Sequence, residues 1–301
     1  MNIDDLWDYD NPDLTEAKFR QVLPELESSS EESYLELLTQ IARAQGLQGK
    51  FAEADRTLDE VEKVLDNADS SSLMKARIRY LLERGRVLNS SAMPEDAKPF
   101  FQEAFELAKK SKEDFFAVDA AHMTAIAEPL DKQYEWNQKA LEIVRESSDV
   151  KARKWAASLY NNMGWTFFDQ KQYGRALDCF QEALKHRIED GGTPNQIRIA
   201  KWSVAKCLRV LDHVNEALQI QRELLGEYER IGQKDGYVYE ELGECLLVFG
   251  QNHEARRYFA LAYDELSKDR WLASNEPERL ERLRKLSLET RSSDFSYSTY
   301  S

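Results

Sequence analysis

Large apolar residues recur at i, i+3 and i+7 along most of the chain, as in Tyr160, Met163 and Phe167 or Tyr239, Leu242 and Leu246. That spacing puts them on one stripe of a helix. A small residue sits beside each stripe: Ala42, Gly85, Gly164, Ala205 and Gly243. Twelve residues after each comes an alanine (Ala54, Ala97, Ala176, Ala217, Ala255), and seven further on lie Val61, Ala104, Ala183, Leu224 and Ala262. Two fixed spacings kept five times are an internal repeat. A small residue on a helix face lets a second helix approach closely. Each unit therefore predicts two antiparallel helices joined by a short turn, such as Lys171-Gln172-Tyr173-Gly174 or Gly250-Gln251-Asn252. The alanine twelve positions on, Ala176 for Gly164, is expected to face the small residue.

The best-kept units read Tyr160-x-x-Met163-Gly164-x-x-Phe167 with Ala176-x-x-x-Phe180-x-x-Ala183, and Tyr239-x-x-Leu242-Gly243-x-x-Leu246 with Ala255-x-x-x-Phe259-x-x-Ala262. This resembles the tetratricopeptide repeat, with Tyr where the family places Trp. Elsewhere Arg84 replaces the apolar residue before Gly85, and Gln221 replaces the aromatic of the Ala205 unit. A sixth, degenerate unit is expected around Ala121, with helices over 113–128 and 132–146. Units are spaced 43, 36, 43, 41 and 38 residues apart, longer than the family's usual 34. The resemblance implies an all-α fold, a right-handed α-α superhelix of about six helix pairs with capping helices, about fourteen helices in all. The expected divisions are an acidic segment and capping helix over 1–33, six pairs over 34–267, a capping helix over 268–290 and a disordered tail over 291–301. Trp7 and Tyr9, set among Asp4, Asp5, Asp8, Asp10 and Asp13, are expected to dock on the first helix pair with the acids facing water.

Composition narrows the function. The 301 residues include 12 Gly and 7 Pro, too few for the turns of a strand-rich fold. The net charge is -14, of which residues 1–66 carry -11, so a phosphate backbone would be repelled and nucleic acid is not an expected partner. Three cysteines, Cys179, Cys207 and Cys245, form no CxxC pair and suit a reducing compartment. The acidic N-terminus has no apolar run behind it, and no stretch approaches a membrane span, so a cytoplasmic location off the membrane is expected.

Catalytic chemistry is not indicated. Gly191-Gly192 lacks the context of a phosphate loop, no HExxH, HxE or CxxC occurs, and the four histidines fall in different units. Cys207 and Cys245 hold equivalent positions and read as core thiols. No enzyme, cofactor or metal is implied. What remains is the groove that the family lines with the first helix of each unit. Offsets of -6, -3, -2, +1, +4 and +5 from the small residue give its exposed stripe. They select Gln40 and Arg43, then Arg79, Glu83 and Arg86, then Asp119 and His122, then Asn161, Asn162, Trp165 and Phe168, then Trp202, Lys206 and Arg209, and finally Tyr237, Glu240, Glu241 and Glu244. The resemblance gives Asn162 the place of an Asn that bonds a bound peptide's backbone. The family's clamp for acidic C-termini is broken, because Val118, His122, Ile199 and Ser203 stand where Lys, Asn, Lys and Arg are needed. The expected partner is a protein or extended peptide, acidic residues flanking an apolar centre, drawn to a positive groove by Arg43, Arg79, Arg86, Lys206 and Arg209; the rival is that these cations only pair with nearby Glu83 or with Glu residues of adjacent helices, which leaves the field small. The expected role is a binding scaffold; the alternative is a peptide-sensing regulator that changes curvature on binding.

Overall fold

The computed structural model describes residues 3–69 and 71–288. Of these, 82% are helical and none is in a strand. The expected C-terminal tail, 291–301, lies outside the described residues, as do the last two positions of the expected cap. The chain divides into two compact bodies after Thr166, and each is described by itself.

The first body opens with a 3-10 turn, Ile3–Leu6, and helix α1, Pro12–Ser29. Three helix pairs follow: α2 (Glu31–Leu47) with α3 (Phe51–Asn67), α4 (Met74–Ser90) with α5 (Pro94–Ser111), and α6 (Asp114–Ala127) with α7 (Gln133–Glu146). A four-residue helix α8 (Val150–Arg153) precedes α9 (Ala156–Asp169). The second body holds α10 (Tyr173–Glu189), the pair α11 (Pro194–Val210) and α12 (Val214–Arg230), and the pair α13 (Gly236–Val248) and α14 (Asn252–Leu266). It ends in α15 (Arg270–Asn275) and α16 (Pro277–Leu288). Sixteen α-helices thus stand among the described residues where about fourteen were expected. The short α8 and α15 had no periodic signal to betray them.

Local chemistry sets the boundaries. Prolines occupy the first turn of α1, α5 and α11, where the missing N–H is not needed. Thr193 and Gln196 close a reciprocal capping box at the start of α11, and the Asp235 carboxylate accepts from the Tyr237 and Val238 amides at the start of α13. The turn within a pair is set by one position, seven residues after the small residue. It is left-handed at Gly49, Ala92, Lys171, Asp212 and Gly250 (φ +60° to +75°). The degenerate unit lacks it: Glu128 precedes Pro129 and is extended, so its helices are joined by a longer loop.

The core forms where the second helix of a pair lays a side chain over the small residue of the first. A Cβ added to Gly85 would come within 2.5 Å of the Phe101 ring, and one added to Gly243 within 2.8 Å of Phe259. The closest neighbour of the glycine is therefore the ring sixteen positions on, not the alanine twelve positions on. The sequence follows this contact. Gly85, Gly164 and Gly243 have Phe sixteen residues later, whereas Ala42, Ala121 and Ala205 have Leu58, Asn137 and Gln221. The extra methyl leaves no room for a ring. Arg84 is accommodated by leaning on α3, with Asp55 at 2.9 Å and Asp59 at 2.6 Å. All three cysteines are buried, and burial pushes the Cys207 thiol up to about 11 and that of Cys245 to about 12, so both stay protonated at neutral pH.

Two substitutions test this packing. Gln221 is fully buried, and neither end of its amide has a partner. Gln221→Leu, which copies Leu58 opposite Ala42, should raise stability by about 1–2 kcal/mol in a denaturant melt by removing a desolvated amide; a loss would show that the amide is satisfied by water. Ala92→Gly should raise it by about 0.5–1 kcal/mol by relieving a left-handed L-residue. An unchanged midpoint would mean the turn carries no strain.

Candidate functional site

The first helix of each pair carries the predicted stripe, and within each body ion pairs join neighbouring stripes. In the first body, Arg79 Nε lies 2.9 Å from Glu36, Arg43 lies 3.5 Å from Glu83, and Arg86 spans Glu83 at 2.7 Å and Asp119 at 2.6 Å. These join α2 to α4 and α4 to α6. Glu83 and Asp119 are buried, at 2% and 5% exposure, as is Gln40. The stripe expected to face water is therefore partly closed, because the helices approach closely enough to exclude solvent from the carboxylates. Burial opposes the charge on Asp119, but Arg86 and Arg43 hold its carboxyl below the ordinary value. Three cations, Arg43, Arg79 and Arg86, meet three carboxylates, Glu36, Glu83 and Asp119. The positive interior expected from the sequence is absent here.

His122 continues this stripe. Its Nδ1 lies 3.2 Å from the Asn162 Nδ2, and its ring packs 5.0 Å from Trp155. An amide nitrogen can only donate, so Nδ1 accepts and the imidazole is neutral. Burial lowers its pKa, the Asp119 carboxylate works against that drop, and Arg86 adds to it. Asn162 thus bonds a histidine of α6. Asn161 donates to Asn162 Oδ1 at 3.4 Å, and Trp165 is half-buried on the same helix. Beside these lies a cavity of about 270 Å³ bounded by Tyr9, Arg43, Arg79, Phe116, Lys151 and Trp155.

The second body repeats the arrangement. Glu241, 1% exposed, receives Arg209 at 2.6 Å and Lys206 at 2.9 Å from α11. Burial raises the Glu241 pKa and the two cations overcome it, leaving the carboxyl below its usual range. Glu240 and Glu244 pair with Arg279 and Arg282, so α16 extends the lattice. Trp202 donates its indole N–H to the Tyr237 carbonyl at 3.1 Å, stands edge-on to the Tyr237 ring, and carries the Lys206 ammonium 5.0 Å from its centre. Trp202, Ile199, Tyr228, Tyr237 and Val238 line a largely apolar cavity of about 300 Å³ together with Asn195, Arg198 and Asp235. Ile199 is 50% exposed at its mouth. Sequence reasoning found Trp202 and Tyr237 but missed Ile199, although it lies on the stripe at offset -6; Tyr228 and Val238 come from faces the stripe does not include.

The buried histidine makes acid stability a test. Its folded pKa lies below the ordinary 6.5, so the folded chain takes up its proton later than the unfolded chain. Its contribution is complete above about pH 6.5 and is lost as pH falls through the folded value. Asp119, also lowered, adds a loss of the same sign at more acid pH. Denaturant melts at pH 7, 6 and 5 should show falling stability, and His122→Asn should flatten that slope by up to about 1.4 kcal/mol per pH unit. An unchanged slope would mean that His122 titrates normally.

Among the described residues, no group of three or more His, Cys, Asp or Glu side chains could hold a metal ion, and no helix is long and apolar enough to cross a membrane. No curated protein matches the chain in sequence. Residues 157–187 match the family model Tetratricopeptide repeat. Solved structures share the fold at low identity. The apo form of RapI superposes with a TM-score of 0.71 at 12% identity, covering 93% of this chain and 77% of that one. BtubC (BKLC) from P. vanneervenii gives 0.59 at 16% identity, covering 84% and 97%. NprR in complex with its cognate peptide NprX gives 0.56 at 13%, covering 91% and 80%. Residues 157–187 thus match one tetratricopeptide repeat, and the helix-pair fold around them is the one these solved structures share.

Proposed function

We propose that the chain is a cytoplasmic, non-enzymatic scaffold that holds an extended segment of a protein partner against the first helices of its pairs. The second body's apolar cavity would take one large apolar side chain of that segment. The observation that carries this is the Trp202 wall itself. Trp202 is fixed by its bond to the Tyr237 carbonyl and stands beside Ile199, which is half exposed. A rigid aromatic beside an uncovered aliphatic is the composition of a contact hot spot. Lys206 and Arg209 are both engaged by Glu241 within the chain. They position the wall and leave the apolar surface as the main source of affinity. Lys206, Arg209 and Glu244 are on this reading framework residues. Arg43, Arg79, Arg86, His122, Asn161, Asn162 and Trp165 belong to the corresponding face of the first body.

The alternative role, a peptide-sensing regulator whose curvature changes, is supported by the fold shared with NprR, solved with its cognate peptide. The two roles differ in small-angle scattering. A scaffold keeps its radius of gyration on binding and a sensor does not.

Selection of a displayed random-peptide library on the full chain tests the binding surface. Enriched peptides should share a large apolar residue and should bind Trp202→Ala about thirtyfold more weakly, a loss of about 2 kcal/mol. Trp202→Phe should lose less. Enriched peptides that bind Trp202→Ala at parental affinity would move the site elsewhere.

A further inference from the structure

The N-terminal segment lies on the face that a partner would use. Trp7 donates its indole N–H to the Gln40 Oε1 at 3.1 Å, and Gln40 is on the α2 stripe. Trp7 and Tyr9 stack face to face, 4.6 Å apart and 6° from parallel, and Trp7 meets Phe19 of α1 edge-on. The Arg43 guanidinium lies 5.7 Å from the Trp7 ring and 5.5 Å from the Tyr9 ring. Two hydrogen bonds between Asp8 and Thr15, through Asp8 N to Thr15 Oγ1 and from that hydroxyl to the Asp8 carbonyl, close the segment back onto α1. Asp5, Asp10 and Asp13 point to solvent. The sequence-based expectation placed these aromatics on the first pair; the contacts put them on α1 and on the stripe of α2.

Three features separate this from ordinary capping. The contacts fall on Gln40 and Arg43, which are stripe positions, and not only on α1. Arg43 reaches Glu83 at 3.5 Å and lies over the Trp7 and Tyr9 rings as well, so the segment engages a cation of the stripe directly. The cover is shallow: Tyr9 is 59% exposed and forms one wall of the 270 Å³ cavity that runs on to Arg79, Phe116 and Lys151. A segment buried for stability alone would not leave that wall open.

We infer that Trp7-x-Tyr9 is a built-in ligand, and that the first body's face accepts from a partner the same chemistry, a short acidic segment bearing two aromatics at i and i+2. Such a segment would displace residues 3–10, stack on Arg43, take the Gln40 amide and fill the cavity. The acids of the incoming segment would stay in water, as Asp5, Asp10 and Asp13 do. Tethering makes the internal copy a strong competitor, since a short linker sets a millimolar effective concentration. The apparent affinity of an outside segment is reduced by the fraction of chains whose face is free. This shares with the scaffold reading only the premise that first-helix faces bind extended segments. It uses residues of the first body alone.

A fluorescein-labelled peptide of residues 1–12 is the probe, read by anisotropy against the full chain. The parent should bind it weakly. The full-length double variant Trp7→Ala, Tyr9→Ala should bind at least tenfold tighter, and adding Arg43→Ala to that variant should return binding to the parental level or below. Adding Trp202→Ala instead should leave it unchanged, which separates this site from the cavity of the second body. Equal binding by parent and double variant, or binding indifferent to Arg43, overturns the inference. If the double variant does not melt cooperatively, Tyr9→Ser alone, at an exposed position, carries the same criterion with a gain of about threefold or more.

Discussion

Each helix pair depends on how closely its second helix can approach one small residue on the first. The rings of Phe101 and Phe259 sit where a β-carbon of Gly85 or Gly243 would be. A filled interior cannot absorb even one additional methyl without displacement. The constraint therefore binds two positions at once. Glycine admits a phenyl ring, whereas alanine is matched by Leu58, Asn137 or Gln221. It also fixes helix register, because the ring can reach only the glycine directly beneath it. With register fixed, the left-handed residue seven positions on must reverse the chain, whether or not it is a glycine. Ala92, Lys171 and Asp212 accept that conformation because the packing on either side demands it.

Register in turn decides which first helices meet, and at what height. Their meeting produces the ion-pair lattice. Buried pairs of this kind are weak evidence for stability, since desolvation offsets most of their attraction. They are sensitive to geometry, however, and removing one partner strands the other. Glu241 with Lys206 and Arg209, and Asp119 with Arg86, thus tie neighbouring units to one relative height. The degenerate third unit shows the value of this. Its second helix has lost the aromatic, with Asn137 beneath Ala121, yet Arg86–Asp119 and His122–Asn162 still join its first helix to its neighbours on either side.

The repeat was legible in the sequence because steric rules act on residue size, which the letters state outright. Gly85 with Phe101 and Gly243 with Phe259 are visible without coordinates. The candidate stripe was legible as positions, from helical geometry. Its electrostatics were not. Arg43 and Arg209 read as free cations in sequence, because their partners lie 40 and 32 residues away on other helices, whereas one partner of Arg86, Glu83, stands three residues before it and is legible there. Only the distance between stripes reveals that Glu83, Asp119 and Glu241 are shut from water. Ile199 was passed over for a different reason: it was weighed as a missing lysine of a clamp, and an absent charge concealed a present apolar contact. The helices α8 and α15, of four and six residues, are too short for any period to declare itself.

The two bodies bring different chemistry to the same structural position. On the first, cations and carboxylates are matched one to one, and aromatics of the chain's own N-terminus already cover part of the face. On the second, the matched charges stand behind an apolar wall that Ile199 leaves half open. Matched charge contributes little net field beyond a Debye length of roughly 8 Å, so neither face steers a distant ligand by charge alone. Recognition then rests on contact, through aromatic surface, the indole of Trp202 and the amide of Gln40. On the inferred role of the Trp7–Tyr9 face, a chain of net charge -14 would take an acidic segment by contact and not by its field. The acids of that segment need only remain in water, as Asp5, Asp10 and Asp13 do, while the rings between them are held by Arg43. A cation over an aromatic face keeps its attraction when the charges around it cancel, because the ring's quadrupole acts only at contact range.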